Sequence, residues 1–242
     1  MPATTKAVLS GPPGEVVSMS TGELRSSRDD ANRGVTIAID GPAGAGKSTV
    51  ARALADRLGL EYLDTGAMYR AVTAAVLHRG IDPSDQPSVA EVADASPMSI
   101  DAASVWIDGR DVTDEIRSVE VTAAVSAVAA NSAVRRRLVE RQRQWVRDRS
   151  GGVLEGRDIG TVVLPDATLK AFITATPRVR AERRVAQSGG DVDAIEAAIT
   201  ERDRRDSERD DSPLTQGDEY HVLDTSEMTA DEVVETLLGL LR

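Results

Sequence analysis

The 242-residue chain contains no cysteine, which excludes disulfides, thiolate metal sites and cysteine nucleophiles. Its two histidines, His78 and His221, leave little material for zinc chemistry or a Ser-His triad, and their settings at a helix end and a strand start point to structural roles. Aromatics are scarce as well, with one Phe, three Tyr and two Trp, so the core must be aliphatic and an α/β protein fits better than a β-sandwich. No apolar run approaches the ~20 residues of a membrane span. The start lacks the basic-then-apolar pattern of a signal peptide, so a cytoplasmic protein with no membrane partner is expected. Lys6, Lys47 and Lys170 are the only lysines among 29 basic residues, which makes a lysine in a motif more informative here than an arginine. Against those stand 40 acidic residues, for a net charge of −11 that repels nucleic-acid backbones, and nucleic acid is not an expected partner.

What is present alternates. Val35 to Asp40 is a short, apolar, β-prone run of the kind buried in parallel sheets, with glycines directly after it. Lys47 to Leu58 reads as a helix stopped by Gly59, and Leu60 to Asp64 as a second strand. Thr65 to Arg79 is predicted helical, with Met68, Val72 and Val76 on one face and Gly80 as C-cap. Between Ile81 and Arg117 the rhythm breaks. A strand over Ser99 to Ile107, a turn at Asp108-Gly109 and a strand over Arg110 to Thr113 suggest a small insertion. Ser118 to Arg149 is predicted helical with a break at Asn131, and its second half carries seven arginines, most expected in solvent, beside a buried stripe of Val134, Leu138 and Trp145. Val153 to Glu155 and Leu169 to Ala175 read as strands, and Pro177 opens the next helix after Thr176. A helix over Asp191 to Asp211, a strand over His221 to Thr225 and an amphipathic helix over Thr229 to Leu241 complete the pattern. Five strands alternating with helices predict an α/β fold with a parallel sheet covered on both faces. Residues 1–34, rich in Ser, Thr, Gly and Pro without a hydrophobic period, are expected to be a disordered tail before a single domain, with Met19 as an alternative start.

Between the first strand and helix lies Gly41-Pro42-Ala43-Gly44-Ala45-Gly46-Lys47-Ser48, a match to G-x-x-x-x-G-K-[ST] in its required strand-loop-helix setting. Such glycines let backbone N–H groups turn inward around an anion. The helix N-terminus adds a favourable dipole, Lys47 a point charge and Ser48 a Mg²⁺ ligand, so a nucleoside triphosphate site is predicted. No N-K-x-D guanine reader accompanies it, which disfavours a GTPase.

A second anion site is suggested by Asp64-Thr-Gly-Ala-Met-Tyr-Arg70, which opens a helix at the strand ends where ligands of open α/β sheets collect. A plain capped helix with a surface arginine explains the same residues. Arg157 and Asp158 follow an apolar strand at the same edge, with Gly156 permitting close approach, although a simple turn with an Arg-Asp pair is the alternative. In the later helix Ile195, Ile199, Arg202, Asp206 and Arg209 form one stripe that turns from apolar to charged. Either a cleft lies there or Arg202 and Asp206 make an i,i+4 ion pair on a surface.

Taken together, GPAGAGKS, YLDTGAMYR, the Asp108 to Arg117 stretch, LEGRDIGTVVLPDA and ERDRRDSERD resemble the bacterial cytidylate kinases of the nucleoside monophosphate kinase family, in order, over about 35–242. The resemblance implies a P-loop NTPase core with an NMP-binding insertion at about 65–135 and a short lid at about 184–194. It implies transfer of the γ-phosphoryl of ATP to CMP or dCMP, with Mg²⁺, by a protein expected to be a monomer. ATP would lie on 41–48 with Thr49 and the lid arginine Arg183. Thr65, Arg70, Arg157, Arg202 and Arg209 would hold the CMP phosphate or the group in flight, Lys47 assisting, and Tyr69 would join the CMP site. Asp206 would take the ribose hydroxyls, and Ser126, Arg135 and Asp158 the cytosine edge. A kinase of another small acceptor such as shikimate, or a nucleotide-gated interaction protein using the Arg-rich helix, are the competing readings. The lid is shorter than the family pattern and the long N-terminal tail is not part of it.

Overall fold

The computed structural model describes residues 34–101 and 103–241, so the expected tail lies outside the described residues apart from Gly34. Its centre is a five-stranded parallel sheet of β1 (Thr36–Asp40), β2 (Tyr62–Asp64), β6 (Gly152–Gly156), β7 (Leu169–Thr174) and β8 (His221–Asp224), in the order β2-β6-β1-β7-β8. Alternation along each strand splits the core in two. Ile37, Ile39 and Val153 face one side, where α1 (Lys47–Leu58) and α8 (Ala230–Leu240) cover them with Leu54, Val233 and Leu237. Ala38 and Leu154 face the other, under α2 (Thr65–His78) and α5 (Ser132–Arg149). Val134 and Leu138 are buried in α5 as the stripe predicts, Trp145 only half so, and Arg135 is buried among the arginines expected in solvent.

Local chemistry accounts for most boundaries. Asn131 accepts from Ala133 N (3.0 Å) and Val134 N (3.4 Å), which ends α4 (Val119–Ala130) and starts α5 at the expected place. Thr229 and Glu232 close a capping box at the start of α8. Pro177 opens α6 (Pro177–Ser188) after Thr176, and the turn at Gly189-Gly190 leads to α7 (Val192–Ser207).

The structure corrects the sequence reading in three places. The strand expected over Ser99 to Ile107 is two antiparallel strands, β3 (Met98–Ile100) and β4 (Val105–Ile107), because the Asp101 carboxylate accepts from Ala103 N and Ser104 N, each at 2.8 Å, and turns the chain. With β5 (Arg110–Asp111) they form a separate three-stranded sheet. A helix not foreseen, α3 (Gln86–Ala95), is capped by Asp85 and buries Val89, Val92 and Ala93, packing on α2 and α5. Finally α7 ends at Ser207 instead of Asp211, since Leu214 N takes the Asp206 carbonyl at 2.8 Å and bends the chain back. Arg209 therefore lies beyond the helix. After β6 a single π-helical turn, Ile159–Val163, carries the chain toward β7.

Candidate active site

The loop between β1 and α1 owes its shape to glycine. Gly41 has φ +143°, and a Cβ there would fall 1.9 Å from the Ile173 carbonyl oxygen, so the chain must have glycine where the loop leaves the sheet. Gly46, at φ +90°, turns the last amides into the first turn of α1. Lys47 is buried beneath the loop and donates to the Pro42 carbonyl at 2.7 Å. Burial first, and then the Arg157 charge, pull its ammonium down to about 7 against the pull of Glu155 and Asp40. Pro42 is buried with Gly41 and Ala45, while Ala43, Gly44, Ser48 and Thr49 retain exposure. Arg183 donates to the Thr225 hydroxyl (3.2 Å) and carbonyl (2.6 Å), and its Nη1 lies 3.9 Å from where a Cβ on Gly46 would be, so it stands beside the loop.

Across the sheet edge the predicted guanidiniums converge. Arg157, just past β6, donates to Asp206 of α7 at 2.9 Å, and Arg209 lies 3.7 Å from the same carboxylate. Burial alone raises the Asp206 carboxyl, but Arg157 and Arg209 outweigh it and hold the group below the usual range. The alternative, an Arg202–Asp206 ion pair, does not form. Arg202 is half-buried, its buried Nε has no hydrogen-bond partner among the described residues, and burial with the Arg157 and Arg70 charges lowers it to about 10. Arg202 and Arg157 also act on Lys47, so these cations share one field at the mouth of the loop. Arg70, depressed mainly by burial, donates to the Ile116 carbonyl (2.9 Å) and Thr122 hydroxyl (3.0 Å), and lines a cavity of ≈ 60 Å³ with Asp64, Arg117 and Arg184. Arg117 and Arg184 were not among the residues foreseen from sequence.

Arg135, Tyr69 and Asp158 also meet. Arg135 donates to Asp158, both buried, and its guanidinium lies 5.5 Å from the Tyr69 ring centre. Its Nη1 donates to the Ala129 carbonyl at 3.2 Å, one turn from Ser126, which is half-buried on α4. Burial pushes the Tyr69 hydroxyl up to about 12. Thr65 departs from expectation: its hydroxyl donates to the Glu155 carbonyl at 2.6 Å and fastens α2 to β6, while Asp64 caps that helix through Ala67 N at 3.0 Å. A Cβ on Gly156 would lie 2.8 Å from that hydroxyl, so the close approach there does require glycine. His78 pairs with Glu115 at 2.6 Å and His221 is exposed at the start of β8.

A sequence model of the cytidylate kinases matches residues 37–242. The chain belongs to the cytidylate kinase family. It is 50% identical over 213 residues to a cytidylate kinase of Mycobacterium leprae, with 86% of this chain and 96% of that protein covered. A cytidylate kinase of Corynebacterium efficiens is 50% identical over 216 residues, at 86% and 94% coverage. The bifunctional pantoate ligase/cytidylate kinase of a Synechococcus strain is 50% identical over 221 residues, and there the chain spans only 45% of the relative's length. Among solved structures, an uncharacterized protein from Eubacterium ventriosum shares the fold at TM-score 0.51 and 13% identity, covering 86% of this chain and 98% of that one.

Other side chains frame the site of this cytidylate kinase family member without having been singled out in sequence. Glu155, buried at the end of β6, accepts from the Ser48 hydroxyl and from Tyr62, and burial raises its carboxyl. Arg180 of α6 and Asp203 of α7 form a buried pair that takes both polar groups of Ala43: Arg180 donates to its carbonyl (2.9 Å) and Asp203 accepts from its N–H (3.3 Å). The helices around the Gly189-Gly190 turn are thus tied to the tip of the loop. A buried acid inside the apolar run V-L-E-G was the available signal for Glu155; nothing local marks Arg180 among the chain's many arginines.

Proposed function

We propose that the chain transfers the γ-phosphoryl group of ATP to CMP or dCMP, giving ADP and CDP or dCDP. The observation that carries this is the half-buried Arg202 guanidinium beside Arg157 and Lys47, whose buried Nε has no hydrogen-bond partner among the described residues: a seat of positive charge that burial destabilises and that phosphate groups would neutralise. ATP would lie along 41–48, its outer phosphates on the loop amides and Lys47, with Thr49 in the same turn and Arg183 flanking. The acceptor phosphate would rest on Arg70, Arg157, Arg202 and Arg209, with the Thr65 hydroxyl donating to it on turning from the Glu155 carbonyl. Asp206, already anchoring Arg157, would meet the ribose. Arg135, Asp158 and Ser126 would meet the cytosine edge against Tyr69. We assign the acceptor insertion to about 65–135 and the lid to about 184–194, where the structure has a tight turn between two helices.

A phosphate monoester brings its own anionic oxygen, so no general base is needed and catalysis reduces to alignment and charge neutralisation. In-line attack then depends on the two cradles facing each other, and the shared field of Lys47, Arg157 and Arg202 supports that arrangement. The Ser48 hydroxyl, backed by Glu155, suits Mg²⁺, a hard cation that takes oxygen donors. Among the described residues no group of three or more His, Asp or Glu forms a metal cage, which fits an ion held mainly by phosphate oxygens. Mg²⁺ supplies charge neutralisation on the transferred group. Among the described residues no helix is long and apolar enough to cross a membrane. The proposal includes action as a cytoplasmic monomer, which sizing of the purified protein and cell fractionation check.

Coupled ADP release with CMP, dCMP, UMP and AMP tests the reading. CMP and dCMP are expected to be the preferred acceptors; preference for AMP with CMP inert would overturn the assignment of Ser126, Arg135 and Asp158.

A further inference from the structure

Asp40, the last residue of β1, is fully buried and directly precedes the phosphate loop, yet the proposed chemistry makes no use of it. Three donors from distant parts of the chain converge on its carboxylate: Ile159 N at 2.9 Å, Gly160 N at 2.8 Å and the Tyr220 hydroxyl at 2.7 Å. Ile159 and Gly160 open the π-helical turn immediately after Arg157 and Asp158. Tyr220 packs edge-on against Phe172 with ring centres 6.2 Å apart and clusters with Leu214, whose N–H holds the Asp206 carbonyl at 2.8 Å. Gly160 admits no larger residue under Tyr220, since a Cβ there would fall 2.5 Å from the Tyr220 oxygen. One carboxylate therefore touches the strand that ends in the donor loop, the turn that follows Arg157–Asp158, and the segment that closes behind Asp206 and Arg209.

We infer that Asp40 is a positioning residue that sets the acceptor-binding side chains in register with the ATP loop. The inference rests on the assignment of Arg157, Asp158, Asp206 and Arg209 to the acceptor. Main-chain amides are satisfied by an acceptor-only group, and a buried carboxylate offers the lone pairs for two amides and a phenol at once. Removing it frees the turn after Asp158 while the glycine geometry of the donor loop, set by Gly41 and Gly46, stays. Removal of the Tyr220 hydrogen bond, which leaves the carboxylate in place, should therefore be felt by the acceptor and not by ATP, whereas removal of the carboxylate also takes away a charge that supports the Lys47 ammonium.

The experiment compares Asp40→Asn and Tyr220→Phe with the unaltered protein by steady-state kinetics in both substrates and by thermal melting. Asp40→Asn keeps the volume but sets an NH₂ against one of the donors, and is expected to raise the KM for CMP by about tenfold or more and to lower kcat, with a smaller rise in the KM for ATP because it also removes a charge that supports the Lys47 ammonium. Tyr220→Phe removes one of the three hydrogen bonds and leaves both amides paired, so it should fold and show the same split at about fivefold. Melting temperature falling in Tyr220→Phe with both KM values and kcat unchanged would make Asp40 merely structural and overturn the inference, as would a parallel rise of both KM values. The acceptor panel on the unaltered protein is read first. If another monophosphate proves to be the acceptor, the split is measured with that one, so the substrate assignment can fail while the positioning role stands.

Discussion

The two halves of the site are built on opposite principles. The donor cradle is eight consecutive residues whose shape comes from backbone conformation, with Gly41 and Gly46 at positive φ and one buried lysine beneath. The proposed acceptor side draws Arg70 from α2, Arg135 from α5, Arg157 and Asp158 from the loop after β6, and Arg202 with Asp206 from α7. Its charges are held by carboxylates from other elements, as Arg157 is by Asp206 and Arg135 by Asp158. A contiguous cradle depends on local geometry and survives distant changes, whereas a dispersed one is only as good as the packing that gathers it.

The sharpest break in that contrast is Lys47→Ala. Steady-state kinetics should show kcat/KM down by about 10²- to 10³-fold, the cost of deleting a group that neutralises charge in the transition state, while calorimetric CMP binding changes little. Next, Arg202→Ala and Arg157→Ala should separate by their effects on stability. Both are expected to lose about 100-fold in kcat. Only Arg157→Ala should also lower the melting temperature, by the equivalent of about 2 kcal/mol, since it removes the hydrogen-bonded partner of the buried Asp206 carboxylate and leaves it Arg209 at 3.7 Å. Arg202 has no such partner to strand, so equal destabilisation by both substitutions would erase the distinction drawn between them.

The smallest effect sharpens the donor side. Without nucleotide the Lys47 ammonium titrates at about 7, and phosphate charge raises it. ATP binding above that value should therefore take up a proton, up to about one per site at pH 8, and the uptake should fade toward pH 6, where Lys47 is already charged. Calorimetry in buffers of different ionisation enthalpy measures this directly, and absence of uptake at pH 8 would mean that the lysine is charged throughout.

Much of this molecule was legible in its sequence. The β1-loop-α1 unit, the break at Asn131 and the Pro177 helix start follow from glycine conformation, capping and the missing N–H of proline, all of which act within a few residues. The hairpin at Asp101 and the helix α3 escaped because their signals were weak locally: an Asx turn inside an apolar run, and a helix whose three buried residues find their partners only on α2 and α5. The end of α7 escaped for a similar reason, since Leu214, seven residues past Ser207, is what claims the last carbonyl.

Site residues divide along the same line. Lys47 and its loop could be read from spacing alone. Arg70, Arg157 and Arg202 could be suspected from their places at the strand ends and on one helical stripe, Arg135 only through family resemblance, and the partners they chose were not foreseen: Asp206 takes Arg157 in place of Arg202, and Thr65 spends its hydroxyl on the Glu155 carbonyl. Glu155, Arg180, Asp203 and Asp40 became visible only as buried charges in contact with the loop or its strand.

Sequence by itself determined the alternation of elements, the aliphatic core and the donor loop, because glycine dihedrals, capping side chains and hydrophobic period are properties of neighbours along the chain. Tertiary structure alone decided which charges pair and which stay exposed to a ligand's field. That choice depends on burial and on distances between residues up to 180 positions apart, as between Asp40 and Tyr220, and no local pattern encodes it.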